Sequence, residues 1–246
     1  MNIELTSASD WISLRSIEIM GMKMRKFSKL SLFLAASMLA ITPAQADGLN
    51  EAISADLPSL MEIYRDLHAN PELSGEEVQT AAKLAAEARR LGFTVTEKVG
   101  GTGVVAVMEN GEGPTVMIRA DMDGLPLEEK TGLPFASTTT AKTRQGNDTF
   151  VMHACGHDTH MTGWVGTARQ LAGRKDEWSG SLVMILRRAE ETGEGAVAMP
   201  EDGLYSRFPK PDHVIAFPQS AGASARHFCY SPAFWPAQVH RVVSPV

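Results

Sequence analysis

The densest group of side chains able to bind a metal ion lies in residues 153–160, which read HACGHDTH. Within it, His153, Cys155 and His157 alternate directly after a run of strand character. Because an extended backbone points residues i and i+2 to the same side, we expect these three side chains to face one site. Imidazole and thiolate groups are ligands for Zn²⁺ and related first-row ions. The spacing alone is not specific, since a single cysteine or histidine is usually an ordinary buried residue, so the site needs further ligands.

Two acidic pairs, Asp121/Asp123 and Glu190/Glu191, are the candidates for those further ligands. Each pair follows an apolar run typical of a buried strand, and α/β proteins place their sites at the carboxyl ends of strands. Adjacent carboxylates repel one another unless a cation or a proton lies between them. With a cation present, one carboxylate is a ligand while its neighbour acts as general base on a water molecule. A solvated acidic loop is the alternative, but three such motifs at strand ends favour a converging metal site.

The order of the predicted elements indicates an α/β fold. Periodic or continuous apolar residues predict helices at 56–68, 75–91 and 159–172 and strands at 93–98, 103–109, 115–119, 150–154 and 181–186. Pro58 fits the first turn of the first helix. Ser74 and Glu77 match a capping box that opens the second helix. The turn-rich residues 110–114 predict a hairpin connection between the second and third strands.

The composition excludes several classes of protein. The 246 residues are 43% hydrophobic and 21% charged, a globular balance that argues against disorder and fibrous repeats. The formal net charge is −6, without the basic stripe of a nucleic-acid-binding protein. The two cysteines, Cys155 and Cys229, make at most one bridge and no disulfide framework.

The N-terminal region has the three parts of a secretory signal peptide. The apolar stretch at 30–41 is too short to span a bilayer; it follows basic residues and precedes an A-x-A cleavage pattern at 44–46. We therefore expect residues 24–46 to be a signal peptide and the mature protein, which begins near Asp47, to be secreted or periplasmic without a stable membrane anchor. A buried core helix is the alternative for the apolar stretch. Residues 1–23 carry acids that such a signal lacks and precede closely spaced methionines, so we interpret them as an over-called start.

Several segments, in one order, resemble the amidohydrolase branch of the M20 metallopeptidases, which includes hippurate hydrolases and N-acyl-amino-acid amidohydrolases. The matching segments are YRDLHANPELSGEE at 64–77, IRADMDGLPL at 118–127, HACGHDTHM at 153–161, AEETGEG at 189–195 and PDHVIAF at 211–217. The resemblance implies that residues 47–217 are the N-terminal part of an M20-type catalytic domain. That domain would be an α/β fold with a central mixed sheet flanked by helices, here without the dimerisation domain and dimer interface of the family.

The resemblance also implies a role for each matching site residue. Cys155, His157 and Glu191 would bind metal, Glu190 would be the general base, and Asp123 would support the catalytic site. Members of the family use two divalent ions, with Zn, Mn, Ni and Co as the candidates, to activate a water that attacks an amide carbonyl. The implied function is hydrolysis of N-acyl amino acids or small peptides, and no nucleic-acid partner is implied.

The chain departs from the family pattern near its predicted metal ligands. Pro218 stands where the family has a metal-binding histidine, and a second such histidine lies beyond the last residue of this chain. Arg187 and Arg188 replace the usual Gln-Pro and place positive charge beside a cation site, which opposes metal binding. The candidate replacement ligands are His213, His227 and His240. A bridge between Cys155 and Cys229 would compete with metal binding, and we do not expect it.

These departures leave more than one hypothesis open. We interpret residues 218–246 as an irregular tail produced by a shift in the reading frame. The first hypothesis is an exported, metal-dependent amidohydrolase. The second is a truncated, catalytically inactive remnant of such an enzyme that retains at most partial metal binding. The third is a metal-binding module that uses only Cys155, His157 and Glu191.

Overall fold

The computed structural model describes the chain from residue 43 to residue 216, with side chains from residue 48. The described residues belong almost wholly to one compact unit, which begins at Asp47. The predicted start region at 1–23, all but the last four residues of the predicted signal peptide, and the predicted tail at 218–246 lie outside the described residues. These three interpretations stay predictions.

The described part of the chain alternates helices with strands. Its elements are, in order, α1 (Pro43–Ala69), α2 (Val78–Arg90), β1 (Thr94–Val99), β2 (Gly103–Asn110), β3 (Thr115–Asp121), β4 (Thr140–Lys142), β5 (Asp148–Phe150), α3 (His157–Gly173), β6 (Gly180–Arg187), α4 (Gly195–Glu201), α5 (Leu204–Arg207) and β7 (His213–Ala216). None of the helices described between residues 43 and 216 is long and apolar enough to cross a membrane.

The central sheet has five strands in the order β1-β2-β6-β3-β7. β1, β2 and β6 are antiparallel neighbours, whereas β6, β3 and β7 run parallel. β4 and β5 form a separate two-stranded sheet. The prediction of an α/β fold with a mixed central sheet flanked by helices is therefore confirmed.

Strand β6 shows why helices cover both faces of this sheet. Its side chains alternate, so that Leu182, Met184 and Leu186 join a core cluster with helices α1, α2 and α3. Val183 and Ile185 point to the opposite face, where a smaller cluster includes Met199 of α4. Both faces of β6 are buried, which explains its uninterrupted apolar sequence.

The predicted hairpin between the second and third strands is wrong, because β6 lies between them. Met184 of β6 pairs with Ala106 of β2 on one side and with Ile118 of β3 on the other. The turn residues at 110–114 reverse the chain, but the apolar strand that arrives later pairs with both neighbours. Gly180, the first residue of β6, allows the strand to lie this close to residue 114. Its φ is +113°, and a Cβ at this position would lie 2.2 Å from the carbonyl oxygen of Pro114.

Three local predictions also need correction. Helix α1 begins well before Pro58, which therefore lies inside the helix and not in its first turn. Helix α2 begins at Val78, and the backbone N–H groups of Gln79 and Thr80 in its first turn donate to the Glu72 carboxylate and not to Ser74, so the capping box does not form. Instead of the strand predicted at 150–154, the structure has β5, which ends at Phe150 and pairs with β4. Beyond Phe150, Met152 forms an isolated bridge with Leu125.

A buried histidine ties α1 to the rest of the fold. His68 is 5% exposed; its Nδ1 lies 2.6 Å from Oδ2 of Asp158 on α3, and its Nε2 lies 3.0 Å from Oε1 of Glu129. Burial opposes the charge of the imidazolium, but the hydrogen bonds to the two carboxylates outweigh it and raise the pKa of His68. The protonated ring donates to both carboxylates and so links three segments of the chain.

This raised pKa predicts a pH-dependent contribution to stability. Because the pKa of His68 is higher in the folded than in the unfolded chain, its contribution is fully present below about pH 6.5 and is lost as pH rises through the folded pKa. We expect the His68→Gln variant to lose more free energy of unfolding, relative to the wild type, at about pH 5.5 than at about pH 9. Urea denaturation at both pH values measures this, with the exposed His213→Gln variant as control. A loss that is equal at the two pH values would contradict the prediction.

Candidate metal centre

The carboxyl ends of β3 and β6 meet at one edge of the central sheet. β3 ends at Asp121, which pairs in parallel register with Arg187 at the end of β6, and the N–H of Met122 donates to the Arg187 carbonyl at 3.1 Å. The turn after β3 carries Asp123, and the turn after β6 carries the pair at 190–191. The two predicted acidic pairs therefore lie beside each other, at the position where parallel strands commonly place a site.

Helix α3 brings an imidazole to the same edge. It begins at His157 after Gly156, whose φ of 76° lies in the left-handed region that glycine adopts without strain. The buried His157 ring places Nδ1 2.8 Å from the backbone oxygen of Asp123, to which Nδ1–H donates. Its Nε2 then lies 3.8 Å from Oε2 of Glu190 and 3.9 Å from Oε1 of Glu191. An imidazole with one nitrogen anchored on a carbonyl and the other directed at carboxylates is oriented as metal-binding histidines usually are.

Two groups of three potential ligands converge at this edge among the residues at 43–216. The first is His157, Glu190 and Glu191, and the second is Asp121, His157 and His160; in each group the donor atoms lie within 4.8 Å of one another. His157 belongs to both. The two groups contain three of the five residues to which the resemblance assigns a role, together with Asp121 of the predicted acidic pair, and they add His160.

The first group fits a divalent cation. The separations of 3.8 and 3.9 Å between His157 Nε2 and the carboxylate oxygens are too long for hydrogen bonds. A tetrahedral zinc ion holds its nitrogen and oxygen ligands about 3.3 Å apart, so small side-chain movements would close this group around an ion. Oε1 of Glu191 is buried without a hydrogen-bond partner, and so is Nε2 of His160 in the second group. Buried polar atoms of this kind are costly unless a ligand satisfies them.

The side chain of Asp123 contacts three other segments of the centre, those that carry Ser74, His157 and Glu191. Its Oδ2 accepts hydrogen bonds from the Ser74 hydroxyl at 2.6 Å and from the backbone N–H of Glu191 at 3.0 Å. Burial disfavours its charge, but these bonds and the contact with His157 outweigh burial and lower the pKa of Asp123 to about 2. In turn, burial opposes the charge of His157, but the Asp123 carboxylate and the nearby Asp121 raise the pKa of His157 to about 9.

Cys155 lies at the rim of this group. It is exposed and belongs to neither group of converging donors. Desolvation and the neighbouring carboxylates of Glu191 and Glu190 raise the pKa of its thiol to about 12. A bound cation would reverse that balance, because a coordinating thiol loses its proton to the metal.

His153, which the alternation predicts to face the same site, belongs to neither donor group. It is buried, and the backbone of Asp123 and the ring of His157 lie close enough to act on its pKa. Burial lowers its pKa to about 4. Its absence from both groups follows from the backbone: residues 153–156 form a turn and α3 begins at His157, so the alternation expected of an extended strand does not apply.

His213 is not a replacement ligand either. It lies at the start of the parallel strand β7, where it pairs with Val116 near the start of β3. Asp121 is at the opposite end of β3, so His213 lies at the edge of the sheet away from the centre. His227, His240, Pro218 and Cys229 lie outside the described residues.

Glu77 is a structural residue of the centre that the local sequence pattern misassigned. Its carboxylate is fully buried and accepts hydrogen bonds from the backbone N–H of Gly75 at 2.8 Å and of Ala189 at 2.7 Å, and from the Thr102 hydroxyl. Ala189 has a positive φ of 45° directly before Glu190. Glu77 therefore holds the strained turn that presents the Glu190–Glu191 pair, in place of capping α2.

Of the two arginines that precede this turn, Arg187 lies in the centre. Its Nε is 2.7 Å from Oδ1 of Asp121, and its Nη2 is 2.9 Å from Oε1 of Glu190. The neighbouring Arg188 extends away, with Nη1 3.4 Å from the Gly100 carbonyl. The centre thus contains a permanent cation between two of its carboxylates.

Known protein families contain both this fold and these motifs. The pattern of peptidase family M20/M25/M40 matches residues 117–226. The hippurate hydrolase of Campylobacter jejuni is 39% identical over 167 residues, which are 68% of this chain and 40% of the relative. The N-acetyl-L-cysteine deacetylase of Bacillus subtilis is 40% identical over 145 residues, which are 58% of this chain and 33% of the relative.

Solved structures point to the same family. A Bacillus subtilis protein, described as a dinuclear metal-binding peptidase from the M20 family, has a TM-score of 0.59 at 34% identity, covering 68% of this chain and 44% of that protein. This chain belongs to the M20 family of peptidases and amidohydrolases. It spans between 33% and 44% of the length of these three relatives.

Proposed function

We propose that this protein is a metal-dependent amidohydrolase that cleaves the amide bond of N-acyl amino acids or small peptides. The observation that carries the proposal is the convergence of His157, Glu190 and Glu191, with donor atoms within 4.8 Å, at the carboxyl edge of the sheet. The names of two relatives, hippurate hydrolase and N-acetyl-L-cysteine deacetylase, describe the hydrolysis of N-acyl amino acids by those proteins.

The donor set assigns a role to each residue. His157 and Glu191 would hold a divalent ion with Cys155 at the rim, and Asp123 would fix the His157 ring through Nδ1. A divalent ion in such a site lowers the pKa of water and polarises the amide carbonyl. Zn²⁺, Mn²⁺, Ni²⁺ and Co²⁺ all suit a site of imidazole, carboxylate and thiolate.

Glu190 would carry the proton transfers. Its side chain is 34% exposed, so a substrate and a water molecule can reach the carboxylate. It would accept a proton from the attacking water and deliver it to the amide nitrogen as the C–N bond breaks. Water and the amide thereby become a carboxylic acid and a free amine.

A catalytically inactive relative that retains partial metal binding is the second candidate. The ion pair between Arg187 and Glu190 favours it, because the guanidinium occupies one oxygen of the carboxylate that would otherwise be free to bind a water molecule. Of the two candidates, only the amidohydrolase would hydrolyse a substrate.

Hydrolysis assays separate these candidates. The full chain is incubated with each of the four metal ions and with N-benzoylglycine, N-acetylcysteine and N-acetylleucine, and the free amino acid is measured by chromatography. We expect release that requires metal and stops when a chelator is added. Metal-loaded protein that releases no amino acid above the protein-free blank would contradict the amidohydrolase proposal and support the inactive relative.

We also propose export of the protein through residues 24–46, on the order of basic, apolar and small residues in that stretch. Fractionation of expressing bacterial cells, with N-terminal sequencing of the product, tests this. A product that keeps residues 24–46 in the cytoplasm would contradict it.

A further inference from the structure

Arg187 is the last residue of β6, and two carboxylates hold its guanidinium group. Its Nε donates to Oδ1 of Asp121 at 2.7 Å, and its Nη2 lies 2.9 Å from Oε1 of Glu190. Asp121 is buried at the end of the neighbouring strand β3, in parallel register with Arg187. The guanidinium is therefore fixed to the sheet through Nε, and its planar fork leaves Nη2 beside Glu190.

Glu190 lies on the turn after β6, and both oxygens of its carboxylate have a polar neighbour. Oε1 faces Arg187, and Oε2 lies 3.8 Å from Nε2 of His157, which is too long for a hydrogen bond. The side chain is 34% exposed, and such a glutamate samples several rotamers unless a partner restrains it. Of these two contacts, the ion pair with Arg187 is the closer and supplies the restraint.

The two oxygens of Glu190 are thus separated in role. Arg187 holds Oε1 and leaves Oε2 on the side of His157 and Glu191, the two residues that would hold the ion. A carboxylate has acceptor sites on both oxygens, so one can bind a guanidinium while the other accepts a proton. Correct placement matters, because a displacement of about 1 Å at a catalytic group can cost roughly 10²-fold in rate.

We propose that Arg187 is a positioning residue, which holds Glu190 through Oε1 and keeps Oε2 in place for proton transfer. This inference rests on the proposed amidohydrolase function. The inactive alternative gives the same ion pair the opposite effect, because there the guanidinium withholds the carboxylate from water. Loss of Arg187 lowers kcat if the guanidinium positions Glu190, and it raises turnover if the guanidinium withholds Glu190.

Steady-state kinetics of the metal-loaded full chain test the sign of this effect. The wild type, Arg187→Gln, Arg187→Lys and Arg188→Gln are assayed with the N-acyl amino acids named above, and metal content is measured on the same samples. We expect kcat of Arg187→Gln to fall by roughly 10²-fold with KM nearly unchanged. Arg187→Lys should recover only part of this loss, since an ammonium lacks the fork that joins Asp121 to Glu190. Arg188 extends away from the centre, so Arg188→Gln should match the wild type.

Free guanidinium ion provides a readout that a purely structural role would not move. Arg187→Ala leaves space between Asp121 and Glu190, so millimolar guanidinium chloride should restore part of the lost kcat, whereas equal sodium chloride should not. Nε of Arg119 lies 3.4 Å from Oδ1 of Asp121 and keeps a positive charge beside that buried carboxylate, which favours folding of the variants.

A double-mutant cycle on stability tests the contact without turnover. The free energy of unfolding in urea is measured for the wild type, Arg187→Gln, Glu190→Gln and the double variant. Both single changes break the same ion pair, so we expect the double variant to lose less than the sum of the two single losses.

The outcomes distinguish this inference from the proposed function. An Arg187→Gln variant with the wild-type metal content and an unchanged or higher kcat would overturn the positioning role and leave the hydrolase proposal standing. Strict additivity in the cycle, or no rescue of Arg187→Ala by guanidinium, would overturn it as well. If the wild type hydrolyses none of the substrates, the proposed function fails and the cycle alone decides whether Arg187 holds Glu190. Should Arg187→Gln not fold, an undiminished kcat in Arg187→Lys would refute the inference.

Discussion

Replacing Glu190 with glutamine is expected to lower kcat for hydrolysis of N-acyl amino acids by roughly 10²–10⁴-fold, the range that general acid–base catalysis contributes. Glutamine has the shape of glutamate but cannot accept a proton from water. Because one oxygen of Glu190 is already paired with Arg187, the other oxygen, 3.8 Å from His157 Nε2, is the one available for proton transfer. The variant should keep its metal, since His157 and Glu191 are unchanged.

A matched control lies on the same loop. Glu194 is exposed and pairs with Arg144 away from the centre, so Glu194→Gln should retain full activity. Initial rates at saturating substrate, with metal content measured on the same samples, separate loss of the base from loss of the ion. A Glu190→Gln variant that keeps its metal and more than about a third of the wild-type rate would contradict a role for Glu190 in proton transfer.

Replacing Glu77 with leucine is expected to lower the free energy of unfolding by about 3 kcal/mol or more. Leucine would leave the N–H groups of Gly75 and Ala189 and the hydroxyl of Thr102 without their acceptor in a fully buried place. Each buried donor left unsatisfied costs about 1–3 kcal/mol. The turn at Ala189 would lose its anchor, so metal affinity should fall together with stability.

Glu77→Gln is the matched control for this change. Its amide oxygen can accept from both N–H groups, and its amide nitrogen can donate to the Thr102 oxygen once the hydroxyl rotates. We expect this variant, and the exposed Glu76→Leu variant, to be much closer to the wild type. Urea denaturation followed by circular dichroism provides the comparison. Equal stabilities of Glu77→Leu and Glu77→Gln would show that the hydrogen bonds of Glu77 do not hold this turn.

The parts of the fold that the sequence predicts are those set by local pattern. The apolar runs that became β2, β3 and β6, and the periodic residues of α3, can be assigned from the sequence because burial selects them residue by residue. Pairing order cannot be assigned in this way. β6 enters between β2 and β3 from about 70 residues further along the chain, and the turn signal at 110–114 carries no information about that partner.

The candidate site follows the same division. The acidic pairs at the ends of β3 and β6 converge because parallel strands share an edge, which a sequence pattern can predict. Ser74 and Glu77 match a local capping motif, yet their side chains bond to Asp123 and Ala189, and such tertiary partners override local preference. Arg187 is recognisable from the sequence as a positive charge near a cation site. That it bridges Asp121 and Glu190 follows only from the structure.

The central claim is that His157 and its acidic neighbours hold a divalent ion. His157 is the only described residue shared by both groups of converging donors, so one substitution tests both. The most direct measurement is the metal content of the purified full chain after dialysis, compared between the wild type, His157→Ala and the distant, exposed His213→Ala. We expect about one tightly held ion in the wild type and in His213→Ala, and almost none in His157→Ala. Equal metal contents in the wild type and His157→Ala would contradict it.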